Sequence, residues 1–372
     1  MTEGRTLRVL VFGAGPLGSL FASRLVDAGH DVTVLARGKR LEDIKQHGIV
    51  LQDDVSGCLT TTRVNTTDSL NPDDYYDLIM VVMRFNQALQ ILPVLSANRA
   101  TQNILFMMNN ALGPKPMIDA VGAERAMLGF PLPGGERNGH IMKIMHLNSK
   151  MEWTIPIGDA DGKIRPRTRM IAAELGALQG YKTQLRKDMD SWLKFHAALL
   201  MPGFAPALYA TGLDLERFAR TRNAQVLAVR AMRESLNALV KCGYRETPAA
   251  VKLIRFIPEP LMIGLFTLLS KFFRREMQTG AVGHAAAARD ELKTITDDLR
   301  RLWKEKGITN PSVEMLYKYF DPETPLMEDG ASGIKPKWAE LVFPLVFGAL
   351  AVQQIVYLII KLRSRRRCSK CC

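Results

Sequence analysis

The fold is decided by the stretch Leu7-Arg8-Val9-Leu10-Val11-Phe12-Gly13-Ala14-Gly15-Pro16-Leu17-Gly18. Its apolar half predicts a buried strand, and residues 19–28 have the spacing of a helix. Of its three glycines, the first permits a tight turn, the second lets a pyrophosphate approach the backbone, and the third allows helix and strand to pack closely. Because a second strand follows at residues 31–35, we expect a dinucleotide-binding unit. The predicted contacts in this turn are Gly13, Gly15, Pro16, Leu17 and Gly18.

The end of the second strand indicates which dinucleotide is bound. NAD sites usually place an acidic residue there to bind the ribose 2′-hydroxyl. This chain has no carboxylate at that point and instead reads Ala36-Arg37-Gly38-Lys39-Arg40. Cations suit a 2′-phosphate, and Arg37 is the best candidate to bind it or to stack on the adenine. The sequence therefore favours NADP(H), with a solvated basic loop as the alternative interpretation.

The composition is that of a globular protein with a basic end. The chain has 372 residues, 47% of them hydrophobic, and a formal charge of +13, of which residues 361–372 supply six. The other cations are not interleaved with aromatic residues, so we expect no nucleic-acid partner. Five cysteines form no disulfide framework, and three thiols at residues 368–372 without a fourth ligand predict no metal site. No secretory signal precedes the first strand, which favours cytosolic catalytic domains.

The order of elements predicts two domains. Strands and helices alternate through residues 1–187, giving an α/β Rossmann-like domain, and residues 188–320 are predicted to form an all-α domain. The chain would continue through a linker at residues 321–337 into a membrane-associated segment at residues 338–372. Within the second domain the apolar spacing predicts helices over residues 191–200, 213–240, 247–255 and 290–306.

The landmarks of this arrangement resemble those of the ketopantoate reductase (2-dehydropantoate 2-reductase) family. Arg84-Phe85-Asn86-Gln87 is similar to the family's Lys-aromatic-x-Gln element, and Asn110-Ala111-Leu112-Gly113 is similar to its Asn-Gly-x-Gly loop. Trp192-x-Lys194 resembles the helix that carries the family's catalytic lysine. Glu291, ahead of Gly307-Ile308-Thr309-Asn310-Pro311, stands where the family has a glutamate. The resemblance implies a Rossmann-like domain followed by a helical domain like that of 6-phosphogluconate dehydrogenase.

The same resemblance implies roles for individual residues in NADPH-dependent reduction of a 2-oxo acid or related carbonyl. Lys194 would be the general acid that protonates the carbonyl oxygen. Glu291 would accept a hydrogen bond from the lysine or from the new hydroxyl, and Asn110 would orient the lysine and the nicotinamide ribose. Arg84 would contact the cofactor. His196 and His284 are expected to have ordinary packing or surface roles.

The departures from the family put the substrate in doubt. Ala198 and Pro202 replace asparagines that hold the substrate in the family, and Glu276 aligns with a serine that binds its carboxylate. These changes predict a larger and more apolar carbonyl substrate than ketopantoate. Two alternatives stay open: a noncatalytic NADP(H)-binding sensor or scaffold, and an opine-type or hydroxyacid dehydrogenase. A homodimer is a further open alternative.

The end of the chain predicts a membrane contact. Residues 341–360 carry no charge and are long enough to cross a bilayer, which takes about 20 apolar residues. Lys361 and the basic residues after it resemble a juxtamembrane flank. A tail-anchored span and an interfacial helix with acylated Cys368, Cys371 and Cys372 are both open. The apolar residues 256–273 are predicted to form a core helix, with a helix lying on a lipid surface as the alternative.

Overall fold

The computed structural model describes residues 6–147 and 152–342. Its strands are β1 (Arg8–Phe12), β2 (Asp31–Leu35), β3 (Ile49–Asp53), β4 (Leu59–Thr62), β5 (Asn65–Thr67), β6 (Leu78–Val81), β7 (Ile104–Met107), β8 (Ala126–Gly129), β9 (Gly135–Asn138), β10 (Ile141–Ile144), β11 (Trp153–Asp159) and β12 (Tyr181–Leu185). The helices of this half are α1 (Pro16–Asp27), α2 (Gly38–His47), α3 (Phe85–Ala97), α4 (Lys115–Val121) and α5 (Pro166–Gly176). The chain from residue 6 to residue 185 is therefore an α/β unit.

The main sheet has eight strands in the order β12-β11-β8-β7-β6-β1-β2-β5. All neighbouring pairs are parallel except β11 with β8. The central strands β1, β6, β7 and β8 are almost completely buried, which explains why their sequences are continuous apolar runs. Since β1, β6, β7 and β8 are parallel, their carboxyl ends meet at one edge of the sheet, where ligands bind in open α/β sheets.

A second sheet, in the order β4-β3-β10-β9, covers the outer face of α1. Ile49, Leu51, Met142 and Ile144 from this sheet share a buried cluster with Phe21 of α1. The helix that follows the glycine turn is therefore enclosed between two sheets. This sheet was not predicted from the sequence, because its strands are short and β4 and β9 are largely exposed.

The second half of the chain is helical. Its helices are α6 (Met189–Leu200), α7 (Phe204–Ala210), α8 (Leu215–Arg220), α9 (Arg222–Lys241), α10 (Ala249–Ile254), α11 (Glu259–Phe272), α12 (Arg274–Met277), α13 (Gly283–Ala287), α14 (Arg289–Glu305) and α15 (Pro311–Tyr317), with a π-helical turn at Gln278–Val282 between α12 and α13. The prediction of one helix over residues 213–240 was wrong. Thr221 is extended between α8 and α9, and its hydroxyl accepts a hydrogen bond from the amide of Gly330.

Residues 321–337, predicted to form a linker, lie along the helical half. The Met327 amide donates to the carbonyl of Ala210 at 2.8 Å, and Asp329 forms a two-bond ion pair with Arg220 at 2.6 Å. The predicted membrane segment, residues 341–360, lies outside the described residues except for Leu341 and Val342. None of the helices formed by the described residues combines the length and the apolar character needed to cross a bilayer.

Candidate active site

The glycine turn lies at the carboxyl end of β1. Gly13 has a φ of +122°, and a Cβ atom there would lie 2.3 Å from the carbonyl oxygen of Val82. A Cβ atom on Gly18 would lie 1.8 Å from the carbonyl oxygen of Gly13. Gly15 is different, because a Cβ atom there would have no protein atom within 4 Å. The protein itself requires the first and third glycines, whereas the second leaves open space in front of the start of α1, where Pro16 and Leu17 are half-buried.

The two arginines after β2 differ in burial. Arg40 is buried beneath the glycine turn, where its guanidinium donates to the Ala14 carbonyl at 2.9 Å and to the Ser19 hydroxyl at 2.8 Å. Burial lowers the pKa of Arg40 to about 10. Arg37 is exposed at the start of α2, and its Nε donates to the Asp68 carbonyl at 3.3 Å. Arg40 therefore supports the turn, whereas Arg37 lies exposed on the surface after β2.

Lys194 lies on α6 and is almost completely buried, with 2% of the residue exposed. Its ammonium forms an ion pair with Asp190, one helical turn earlier. The other neighbour is the loop after β7: a Cβ atom on Gly113, where φ is +102°, would lie 3.0 Å from Lys194 Nζ and 3.1 Å from Asp190 Oδ1. Since a larger residue at this point would collide with the ion pair, the loop and the ion pair are packed directly against each other.

Asn110 shapes that loop. Its side chain accepts a hydrogen bond from the Gly113 amide at 2.8 Å and donates to the Gly113 carbonyl at 2.9 Å. Both bonds are buried, and none of the hydrogen bonds among the described residues joins Asn110 to Lys194. Asn110 therefore acts on Lys194 through the position of Gly113.

Two residues that the sequence analysis did not consider also face Lys194. The ammonium lies 4.9 Å from the centre of the Tyr244 ring, and burial, with the nearby carboxylate of Asp190 as a smaller cause, raises the pKa of the Tyr244 hydroxyl. Burial also raises the pKa of Asp298, which Arg301 at 3.4 Å and, more weakly, the ammonium of Lys194 oppose. Asp298 Oδ2 is buried without a hydrogen-bond partner among the described residues. Asp190 could have been found from its spacing of four residues before Lys194, whereas Tyr244 and Asp298 carry no local signal.

Glu291 lies at the start of α14 and contacts the carboxyl end of β6 instead of Lys194. Its Oε1 accepts from the Phe85 amide at 3.2 Å, and burial raises its pKa despite this bond. Asn109, which follows β7, donates to the same carboxylate, and its own Oδ1 is buried without a partner among the described residues. Glu291 and Lys194 thus belong to two separate polar groups at the same edge of the sheet.

Arg84 and Asn86 connect the two halves of the molecule at this edge. Arg84 donates to the carbonyl of Ala287 and lies 3.4 Å from Asp290 Oδ1. Asn86 donates to Asp290 Oδ2 at 2.8 Å. Asp290, just before Glu291, therefore holds the carboxyl end of β6 to the start of α14.

The side of α6 opposite Lys194 is aromatic. Trp192 and His196 each lie two residues from Lys194, which is about 200° around the helix. Their rings are parallel with centroids 5.3 Å apart, and the Phe130 ring after β8 lies 4.2 Å from the His196 ring. Burial lowers the pKa of His196 to about 4, and it also lowers the pKa of the neighbouring His284. His196 is therefore packed as a neutral ring at physiological pH.

The positions that depart from the family pattern offer few hydrogen-bonding groups. Ala198 and Pro202 are buried and follow Lys194 by four and eight residues. Glu276 is half-buried on the short α12. A π-helical turn follows Glu276 and packs against β9.

Comparison with known sequences finds similarity to ketopantoate reductases. The family model described as "Ketopantoate reductase PanE/ApbA" matches residues 9–155. A 2-dehydropantoate 2-reductase of Mesorhizobium japonicum is 25% identical over 254 residues, which is 62% of this chain and 74% of the relative. This match extends the similarity well beyond the α/β half.

Solved structures share the fold over both halves. A 2-dehydropantoate 2-reductase from Geobacter metallireducens GS-15 superposes with a TM-score of 0.63 at 19% identity, covering 86% of this chain and 100% of the other. D-mandelate dehydrogenase, in a structure with NADH and anilino(oxo)acetate, gives a TM-score of 0.64 at 14% identity and covers 84% of this chain and 96% of its own. The α/β unit with a helical second half is consistent with the ketopantoate reductase fold. The chain is therefore similar in sequence to ketopantoate reductases, through the family model over residues 9–155 and the curated relative, and it shares its fold with the solved structures.

Proposed function

We propose that this protein is an NADPH-dependent reductase of a 2-oxo acid or a related carbonyl compound, with Lys194 as its general acid. The observation that carries the proposal is the burial of Lys194, whose ammonium pairs with Asp190 against the Gly113 loop. A buried ammonium is costly unless it is paired, and surface lysines are far more common. Lys194 lies beside the loop after β7, at the sheet edge that also carries the glycine turn. A buried ammonium at this edge is placed to donate a proton to a bound substrate.

The residues of the glycine turn fit a bound dinucleotide. The open space at Gly15 admits a pyrophosphate to the backbone at the start of α1, where the amide groups and the helix dipole favour an anion. The buried, unpartnered Oδ1 of Asn109 offers an acceptor at the end of β7. When bound, the nicotinamide would supply the hydride. NADPH is favoured over NADH because the exposed Arg37, and no carboxylate, lies at the end of β2.

Lys194 would donate a proton to the carbonyl oxygen and stabilise the developing alkoxide. Asp190 would orient the ammonium, and Asn110 would set the position of the Gly113 loop against it. Glu291 is bonded to Asn109 and lies next to Asp290, the residue that contacts Arg84. From there it would accept a hydrogen bond from the hydroxyl of the product. Arg84 and Asn110 remain predicted cofactor contacts.

The substrate class proposed is a 2-oxo acid larger and more apolar than ketopantoate. Ala198 and Pro202 remove two hydrogen-bonding side chains from the positions that follow Lys194 on the same helix. A structure of D-mandelate dehydrogenase, which shares the fold, contains anilino(oxo)acetate, an oxamate that carries a phenyl ring beside its oxo-carboxylate group. Aromatic and branched 2-oxo acids are therefore the first compounds to test.

The test is NADPH oxidation by the full chain against a panel from ketopantoate to aromatic 2-oxo acids. Lys194→Ala should reduce kcat by a factor of about 10² to 10⁴ while NADPH still binds. The matched control is Lys187→Ala, which removes an exposed lysine seven residues earlier. Equal turnover of Lys194→Ala and the wild type on an active substrate would refute the proposed role of the lysine.

The second candidate is a noncatalytic NADP(H)-binding sensor or scaffold, and buried Ala198 and Pro202 favour it because they leave the substrate few polar contacts. It predicts tight NADPH binding without turnover across the panel. It also predicts that Lys194→Ala leaves every measurable property except stability unchanged. A homodimer stays a prediction under either function.

A further inference from the structure

The surface of the helical half carries an apolar face that the proposed reductase activity does not use. Leu261, Leu265, Leu268 and Phe272 follow one another on α11 at spacings of four, three and four residues, so they form one stripe along the helix. They are between 40% and 74% exposed. The opposite side of α11 packs into the core through Met262 and Ile263. The helix is therefore apolar on both its buried and its exposed side.

Neighbouring residues extend the stripe at both ends. Leu253 and Phe256 precede α11 and are about as exposed as any residue of the stripe, with 70% and 69% of their surface free, and Phe273 follows it. We call these seven residues the α11 face: Leu253, Phe256, Leu261, Leu265, Leu268, Phe272 and Phe273. Large contiguous apolar surfaces are rare on monomeric proteins and mark binding sites for proteins or membranes.

The rim of the α11 face is basic. Lys252, Lys271, Arg274 and Arg275 are all exposed beside it. The exposed Glu216 pairs with Arg274 and the half-buried Glu276 follows Arg275, so the four cations exceed the nearby acids by two charges. Glu259, at the start of the helix, is buried against Arg230 and adds no exposed negative charge. Leucine and phenylalanine on one face with lysine and arginine at its border are typical of helices that lie in the surface of an anionic membrane.

The described chain ends beside the N-terminal end of α11. Glu340 accepts a hydrogen bond from the amide of Glu259 at 2.8 Å, and the Lys337 amide donates to the Glu259 carboxylate at 3.0 Å. The chain therefore leaves the described structure beside the first residue of α11. The sequence that follows has no charge over residues 343–360, and residues 361–372 add six cations and no acidic residue.

These observations distinguish among three occupants of the α11 face. A second copy of the chain would bring the same basic rim against itself, which like charges disfavour. Residues 343–360 could cover the apolar stripe but contain no carboxylate to meet the rim. An anionic lipid surface fits both the apolar stripe and the basic rim, because it takes up the apolar side chains and attracts the cations.

We propose that the α11 face lies on the surface of an anionic lipid bilayer. The test replaces the five native cysteines with serine in the full chain, introduces Leu268→Cys, and labels it with an environment-sensitive nitrobenzoxadiazole dye. Vesicles of phosphatidylcholine with 30% phosphatidylserine should shift the emission to the blue, and lipids with doxyl groups on the acyl chains should quench it. A dye on Asp119→Cys, an exposed position on α4, is the control and should show neither effect.

The local dye separates the proposal from its rivals, because a membrane contact made only by the end of the chain leaves position 268 in water. A blue-shifted emission before vesicles are added would mean that residues 343–360 or a second copy already cover the α11 face, and it would overturn the proposal. An unshifted emission with vesicles would overturn it as well. Lys271→Gln with Arg275→Gln should raise the lipid concentration needed for half the shift by about fivefold per residue.

Discussion

Lys194 forms an ion pair with Asp190 in which the ammonium is enclosed and the carboxylate is not: 3% of the lysine side chain and 34% of the aspartate side chain are exposed. The partner of the buried charge therefore faces the open side of the site. The Gly113 loop and the Tyr244 ring close the other sides of the ammonium. This arrangement fixes the direction of the Lys194 side chain before any substrate arrives.

We expect Asp190→Asn to lower kcat by about tenfold to a hundredfold with little change in the Kd for NADPH. A hydrogen bond to a charged group contributes about 1.5 to 3 kcal/mol, and each 1.4 kcal/mol corresponds to a factor of ten. Steady-state kinetics on an active substrate, with cofactor binding measured by fluorescence, check this prediction. The control is Asp119→Asn, which breaks another lysine–aspartate pair of the same spacing at the surface. A kcat unchanged in Asp190→Asn would show that the ion pair does not orient the lysine for catalysis.

The glycine turn predicts opposite outcomes for two alanine substitutions. Gly15→Ala should leave the thermal midpoint near that of the wild type, because its Cβ meets no protein atom within 4 Å, and should weaken NADPH binding about tenfold by obstructing the pyrophosphate. Gly18→Ala should instead destabilise the fold by about 1 to 3 kcal/mol, because its Cβ would lie 1.8 Å from the Gly13 carbonyl oxygen.

Calorimetry and cofactor titration of both variants separate the two effects. If Gly15→Ala bound NADPH as tightly as the wild type, the pyrophosphate would not approach the backbone at that point. If both variants lost stability alike, the open space at Gly15 would not exist in solution.

The comparison of these two glycines also shows what the sequence could reveal. Local patterns identified the turn, the strands around it and the parallel sheet, because each rests on residues close together in the chain. They could not separate Arg37 from Arg40, which are three residues apart but differ in burial because α2 turns one of them under the glycine turn. The second sheet was missed for a related reason, since its exposed strands lack the continuous apolar runs of buried ones.

The neighbours of Lys194 and Glu291 show a further limit of prediction from the sequence. The resemblance placed Lys194, Asn110 and Glu291 in one site, but contacts between residues about a hundred positions apart depend on how α6 and α14 pack on the sheet. The structure joins Glu291 to Phe85 and Asn109, and it pairs Lys194 with Asp190 in the vicinity of Tyr244 and Asp298. No spacing in the sequence predicts the last two of these neighbours.

Arg37 allows a direct test of cofactor preference. Arg37→Ala should raise the Kd for NADPH by about tenfold or more, since a hydrogen bond to a charged group is worth about 1.5 to 3 kcal/mol, and should change the Kd for NADH little. The control is Arg99→Ala, which removes an exposed arginine at the end of α3. Equal losses of affinity for both cofactors would count against a 2′-phosphate contact.

The last prediction concerns acid stability and rests on the buried His196. Burial lowers its pKa to about 4 from a usual value of 6.5. Between these two values the unfolded chain binds the proton and the folded protein does not, so stability is complete above pH 6.5 and falls as the pH drops towards 4. We expect the free energy of unfolding to fall by about 2 kcal/mol from pH 7.5 to pH 5 because of this residue.

His196→Phe keeps a ring beside Phe130 and Trp192 but cannot bind a proton. Urea unfolding at the two pH values should therefore show a smaller decrease in the free energy of unfolding than in the wild type. Since burial also lowers the pKa of His284, part of the loss should persist in the variant. An identical loss in both proteins would mean that His196 is not held neutral by its surroundings.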